Sequence, residues 1–230
     1  EALFQSLDRQ AVVETVFSAA SPVTVDILSA NMQTFPTAER FKSGDDAAAA
    51  DLLEQAGWVI DPDTGNRTRG GSPLSIRIAA PSWGMNPEVA QLIRAAWENI
   101  GVQVEIRVLP GFGQLKEAHD SNTFHLLGLN FFGTDPAFLT SFYTSTGLYN
   151  WSDVDDPDLD SWLVTAASLQ PDDPAREELY NLIADTIREQ TLILPVRDYV
   201  NLVLARSTVS GLRYSAEGWF PLLIELTIES

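Results

Sequence analysis

Aromatic and amide side chains gather at three places where the chain leaves an apolar run. The first follows Leu74–Ile78 and carries Trp83. The second, Gly128-Leu129-Asn130-Phe131-Phe132, continues to Asp135-Pro136. The third is Gly147-Leu148-Tyr149-Asn150-Trp151. Flat apolar faces with a few fixed amides suit reversible capture of a small molecule, without making or breaking a bond. The candidate contacts are therefore Trp83, Gly128, Leu129, Asn130, Phe131, Phe132, Asp135, Tyr149, Asn150 and Trp151. Phe131 and Phe132 are adjacent at a strand end, so alternation points one of the two inward.

Covalent and metal chemistry have little to work with. The chain has no Cys and two His, His119 and His125, which excludes thiol nucleophiles, disulfides and thiolate metal sites. No G-x-S-x-G, phosphate loop or H-E-x-x-H occurs. Asp61-x-Asp63-x-Gly65 opens like a calcium loop, but its glycine comes one residue early and Ser72 stands where the closing Glu belongs. It reads as a turn. Asp153, Asp155, Asp156, Asp158 and Asp160 crowd a helix start, where carboxylates favour the helix dipole. We expect no catalysis, no cofactor and no bound metal. A net charge of −18 repels nucleic acid and anionic membrane. With 45% hydrophobic and 10% aromatic residues in 230, the chain can bury a sizeable core. No stretch approaches the ~20 apolar residues that span a bilayer.

The elements that must position these residues alternate. A helix over 2–16 is expected to bury Leu3, Leu7, Val12, Val13 and Val16. An irregular connection from Ser21 to Gly44 follows, then a helix capped by Asp45 or Asp46 and stopped by Gly57. Leu74–Ile78 alternates as a strand, Asn86–Asn99 is helical, and Val102–Val108 alternates again. A helix over Phe112–His119 leads to a strand over Phe124–Leu129. Strand, helix, strand, helix, strand with short connections predicts a parallel α/β sheet, whose ligands bind at the strands' carboxyl ends. Asp156-Pro157 and Asp173-Pro174 then start two helices. Leu192–Val196 is apolar and short, a buried strand or its approach.

Three ordered blocks resemble the peptide- and nickel-binding family (family 5) of extracytoplasmic solute-binding proteins of ABC importers. The last block is similar to the family's D-P-x-x-D helix, R-x-x-L-Y helix and I-x-P-V/L strand. Here these are Asp156-Pro157-Asp158-Leu159-Asp160, Arg176-Glu177-Glu178-Leu179-Tyr180 and Ile193-Leu194-Pro195-Val196. Ala48 to Trp58 resembles A-x-x-L-L-x-E-A-G-W, and Ala2-Leu3 through Leu7-Asp8-Arg9 to Val12-Val13 resembles A-L-x-x-A-I-D-R-x-x-I-V.

The resemblance implies a type II periplasmic-binding-protein fold, a two-lobed clamp about twice this size, larger than a usual single domain. It further implies that residues 1–230 are its C-terminal lobe, opening inside the second lobe's first helix and ending near the natural terminus, with the N-terminal lobe missing. The expected role is binding a peptide or another small solute between two lobes for delivery to a membrane permease. The expected setting is extracytoplasmic, with lipid anchoring in the full-length protein. A solute-sensing or partner-binding domain of a regulator is the alternative. Arg197-Asp198-Tyr199-Val200-Asn201 resembles the family's cleft-lining Y-x-x-V-N and adds Tyr199 to the candidates. Arg197 and Asp198 are equally placed to pair with each other at the surface. Peptide binders of the family carry G-W-x-x-D ahead of the proline, the Asp pairing with the peptide's amino terminus. Aligned on Pro136, Gly128 is retained, but Leu129 replaces the Trp and Phe132 the Asp. Asp135 is the nearest carboxylate, and a less charged ligand, or a peptide held through its backbone, is implied.

Overall fold

The computed structural model describes residues 1–17, 21–24, 26–29, 43–131, 133–200, 202–215 and 220–228. Where one opening helix is expected there are two, α1 (Ala2–Ser6) and α2 (Arg9–Val16). Asp8 causes the break. Its carboxylate accepts the Ala11 N–H at 3.0 Å, so it caps α2 in extended conformation instead of continuing α1. Leu7, Val12 and Val13 are buried, while Leu3 and Val16 are only partly so. Helix α3 (Asp46–Gln55) takes Asp45 as its cap through the Ala48 N–H.

A small antiparallel sheet of β1 (Val59–Ile60), β2 (Arg67–Arg69) and β3 (Ser72–Pro73) follows. The sequence signalled only the turns inside it. The Asp61-x-Asp63 stretch is indeed the β1–β2 turn, with Asp61 accepting the Asp63 N–H at 2.9 Å.

The central unit is β4 (Ser75–Pro81), α4 (Asn86–Asn99), β5 (Gln103–Leu109), α5 (Phe112–Asp120) and β6 (Leu126–Leu127). Its three strands are parallel in the order β5-β4-β6. The expected strand over Phe124–Leu129 is shorter than its apolar run. Only Leu126 and Leu127 pair with Ile78 and Ala79, flanked by bonds from His125 N to Arg77 O (2.9 Å) and Gly128 N to Ala79 O (2.8 Å).

Helices α6 (Thr140–Tyr143), α7 (Pro157–Ser168) and α8 (Pro174–Glu189) form the other half. Asp156 and Asp173 cap α7 and α8, each with Pro in the first turn. The stretch after α8 is not a strand. Its one bridge in the described residues is Arg197 to Val23, antiparallel; Pro195, which lacks an N–H, interrupts any ladder. The described chain ends with a two-stranded hairpin, β7 (Val209–Ser210) and β8 (Thr227–Ile228).

Two cores result. One packs α1–α4 against β4 through Leu7, Leu53, Ile78, Ile93 and Trp97. The other packs α6–α8 through Leu139, Tyr143, Leu159, Leu163, Tyr180, Ile183 and Ile187. Periodicity placed the helices, and burial of these stripes at roughly 25 cal/mol per Å² is what holds them together. The fold is α/β, a parallel sheet flanked by helices.

Candidate functional site

Strand β4 feeds α4 and β5 on one side and has β6 on the other, so strand order reverses at β4. A crevice opens at such a point, beyond the carboxyl ends. Two loops leave from there, one after Pro81 and one after Leu127, and a hydrogen bond ties them: Asn86 Nδ2 donates to Asn130 Oδ1 at 2.6 Å. The same nitrogen donates to Trp83 O at 2.7 Å. The approach is tight enough to require glycine. A Cβ on Gly84, whose φ is +65°, would meet Asn130 Oδ1 at 2.6 Å, and one on Gly128 would meet Asn86 Oδ1 at 2.9 Å.

Beside these loops lies a cleft of ≈ 950 Å³ between the sheet core and the helical core, ample for a small ligand. The sheet side supplies Ile78, Ala80, Asn86 and Ile93, and the helical side Phe138, Phe142 and Tyr143. The segment from Leu192 to Val200 closes a third side. One wall is a chain of rings. Phe131 lies 4.8 Å from Phe142, Phe142 5.3 Å from Tyr149, and Tyr149 6.3 Å from Trp151. Trp151 in turn rests 5.4 Å from Phe112 and stacks on His119 at 5.8 Å.

Seven of the sequence candidates line the cleft: Gly128, Leu129, Asn130, Phe131, Tyr149, Trp151 and Tyr199. Three others stand elsewhere. Trp83 packs against the cluster of Ala79, Leu109, Leu115 and Ala118. Asn150 spends its amide on its own turn, donating to Val154 O at 2.9 Å and accepting the Val154 N–H at 3.1 Å. Asp135 accepts the Ala137 N–H at 2.8 Å and pairs with Arg176 Nη2 at 2.6 Å. Phe132 lies outside the described residues.

Two contributors escaped the sequence reading and a third was left open. Phe138, in the turn before α6, and Phe142, within α6, were not among the sequence candidates, and their lining role depends on how this segment packs. Arg197 was left open between a cleft-lining segment and a surface pair with Asp198; it is partly buried, with its guanidinium 3.9 Å from the Phe17 ring and 4.9 Å from the Tyr199 ring. Burial draws its pKa below the ordinary arginine value, with Tyr199 opposing that shift.

Among the described residues no three His, Asp or Glu side chains converge as a metal would require. The acidic cluster is occupied structurally. Asp156 caps α7, and Asp160 accepts both the N–H and the hydroxyl of Ser145. No described helix is long and apolar enough to cross a membrane.

The description of bacterial extracellular solute-binding proteins, family 5 middle region, matches residues 1–153. The chain belongs to that family. Its curated relatives include a dipeptide-binding protein and a di/tripeptide-binding protein 3 from two strains of Pseudomonas aeruginosa. Each is 23% identical over 210 residues, 85% of this chain and 36% of the relative. This family 5 chain thus spans about a third of the length of those relatives. Among solved structures it is similar to NikA from Brucella suis in complex with Fe(III)-EDTA. The TM-score is 0.81 at 20% identity, covering 99% of this chain and 47% of that one. The oligopeptide-binding protein AppA from Bacillus subtilis, in complex with a nonapeptide, gives 0.78 at 16% identity, covering 100% and 47%. These likenesses establish the type II periplasmic-binding-protein fold.

Proposed function

We propose that residues 1–230 are the C-terminal, ligand-binding lobe of the solute-binding component of an ABC importer. The whole protein closes two lobes on a peptide or another small solute and presents it to a membrane permease. The observation that carries this reading is the ring-walled cleft at the carboxyl ends of β4 and β6. Binding there needs no chemistry; burial between lobes supplies affinity, and hinge closure supplies the signal to the permease. The N-terminal lobe of the same protein is the first partner. Support for it comes from the exposed apolar side chains of the last stretch, among them Leu202, Leu204, Phe220, Leu223 and Ile224. Such a run in water is costly and marks a surface that another part of a protein covers. The setting is extracytoplasmic, with a lipid anchor on the full-length protein.

The candidate contacts are those that line the cleft, with Tyr149, Trp151, Asn130 and Tyr199 foremost. The pairing of Asp135 with Arg176 leaves the loop after β6 without a described carboxylate free for a ligand's ammonium. This favours a solute held through apolar and amide contacts over one gripped by its amino group.

The test is a thermal-shift screen of the full-length protein against dipeptides, oligopeptides, sugars, opine-like compounds and metal chelates. Stabilisation by one class, lost in Tyr149→Ala, is the expected result. Silence across every class from a well-folded protein would move the reading to a partner-binding regulator.

A further inference from the structure

The cleft contains one Lys or Arg among its described lining residues, Arg197, and no described carboxylate answers its charge. Val23 bridges its backbone, and the Asp198 N–H bonds Pro22 O at 3.0 Å, fixing the segment. The guanidinium rests on Phe17 and Tyr199. Its polar contact among the described residues is one long bond, Nη1 to Asp198 O at 3.4 Å. Other arginines of this chain that lose water on folding are treated differently: Arg67 and Arg176 are buried and Arg188 partly so. Arg176 meets Asp135 at 2.6 Å and Arg188 meets Asp185 at 2.6 Å, while Arg67 has Glu54 at 3.5 Å and the carbonyls of Ile100 and Trp58. Arg197 forms no ion pair with a described carboxylate.

A guanidinium carries five donors in a fixed fork. Aromatic rings stabilise its charge but do not replace a carboxylate as acceptor. Partial burial already acts against that charge, so the cation persists at a cost that a bound oxyanion removes. The surroundings limit how much negative charge the ligand brings. Asp26, Asp153 and Asp198 line the same cleft, and the chain carries −18. A polyanion meets repulsion there, whereas a single forked carboxylate finds one matched partner.

Resting on the solute-binding reading above, we propose that Arg197 anchors a single carboxylate of the bound solute. The apolar remainder lies along Phe131, Phe142, Tyr149 and Trp151. Arg197 thereby selects acids over their neutral amides.

Calorimetry on the full-length protein tests this with N-acetylated dipeptides bearing an aromatic side chain, each as the free acid and as the C-terminal amide. The acid is expected to bind about tenfold or more tightly than the amide, ~1.4 kcal/mol. In Arg197→Gln that gap closes to about twofold, and Arg197→Lys, which keeps the charge but loses the fork, retains part of it. Equal affinities for acid and amide in the unaltered protein overturn the assignment, as does a gap that survives in Arg197→Gln. If Arg197→Gln fails to fold, the acid–amide pair and the lysine variant decide. Displacement of the acid by millimolar inorganic phosphate would broaden the recognised group to any oxyanion and overturn the carboxylate assignment. A tightly bound solute without a carboxylate sinks this proposal alone, leaving the solute-binding reading intact. No binding of any class sinks both.

Discussion

Asn86 and Asn130 share a 2.6 Å hydrogen bond across 44 residues of sequence, and through it the loops after β4 and β6 act as one rim. The bond forms because the two strands are direct neighbours in parallel register. Two glycines remove the side chains that would hold the loops apart.

Asn130→Ala should therefore loosen the rim without unfolding the chain. Losing one part-buried side-chain bond costs about 1 kcal/mol. Gly84→Ala should cost more, because its φ of +65° disfavours a side chain and the new Cβ would sit 2.6 Å from Asn130 Oδ1. Urea denaturation of both variants measures the order. A Gly84→Ala protein as stable as the parent would show that the loops are not held in this arrangement.

Asp135 and Arg176 make the second long-range tie, 2.6 Å between the loop before α6 and the first turn of α8. Arg176 is nearly buried, donates to Ala166 O at 3.2 Å and lies over the Tyr180 ring at 5.0 Å. Removing its partner strands a cation; because Asp135 is half exposed, we expect Asp135→Ala to cost about 1–3 kcal/mol rather than the larger loss of a fully buried pair. Ligand affinity should change little. A variant with parental stability and weakened binding would instead place Asp135 among the ligand contacts.

Much of this arrangement was legible in the residues. The helical stretch Asn86–Asn99 was placed as α4, Asp156-Pro157 and Asp173-Pro174 announced the last two long helices, and alternation over Leu74–Ile78 and Val102–Val108 located the paired strands. These signals are local. The break at Leu7-Asp8 was hidden because the apolar pattern runs through it, and a single capping carboxylate decides the geometry. Leu192–Val196 is apolar enough for a strand, yet pairing depends on a neighbour that sequence does not name. The site divides in the same way. Strand-end position marked Asn130, Phe131, Tyr149 and Trp151. Phe138 and Phe142 reach the cleft through tertiary packing that their own neighbourhoods do not signal, whereas Arg197 had a pointer in its segment's resemblance to a cleft-lining one.

The ring wall makes a separable prediction. Phe142 touches Phe131, Phe138 and Tyr149 and packs on the helical core, so Phe142→Ala should cost about 3 kcal/mol as a large-to-small change. Tyr149 is less deeply packed, and Tyr149→Ala should cost about 1 kcal/mol while lowering ligand affinity about tenfold. Denaturation and calorimetry on the two variants distinguish wall from core. Unchanged affinity in Tyr149→Ala would remove that ring from the binding surface.

Acid and alkali should expose two groups of opposite sign. The Asp156 carboxylate accepts the N–H of Leu159 at 3.2 Å, the Gln190 amide at 2.8 Å and the N–H of Asp158 at 3.0 Å. The Leu159 bond foremost, then that of Gln190, holds its pKa below the usual carboxylate range. A pKa lower in the folded than in the unfolded chain means the carboxylate stabilises the fold above the unfolded value of about 3.9. That contribution disappears as pH falls through the lower native value. Asparagine can still cap but cannot titrate, so Asp156→Asn should be less stable than the parent at pH 7, with the difference shrinking on acidification. Tyr143 behaves in reverse. Burial pushes its phenol well above the ordinary tyrosine value, so its neutral form contributes fully below a pH of about 10 and the contribution is lost as pH rises beyond it. Tyr143→Phe should flatten the alkaline limb and leave the acid limb untouched. Urea denaturation at pH 3, 7 and 10.5 reads both limbs, and a parent-to-variant difference that does not move with pH would refute the assignment for that residue.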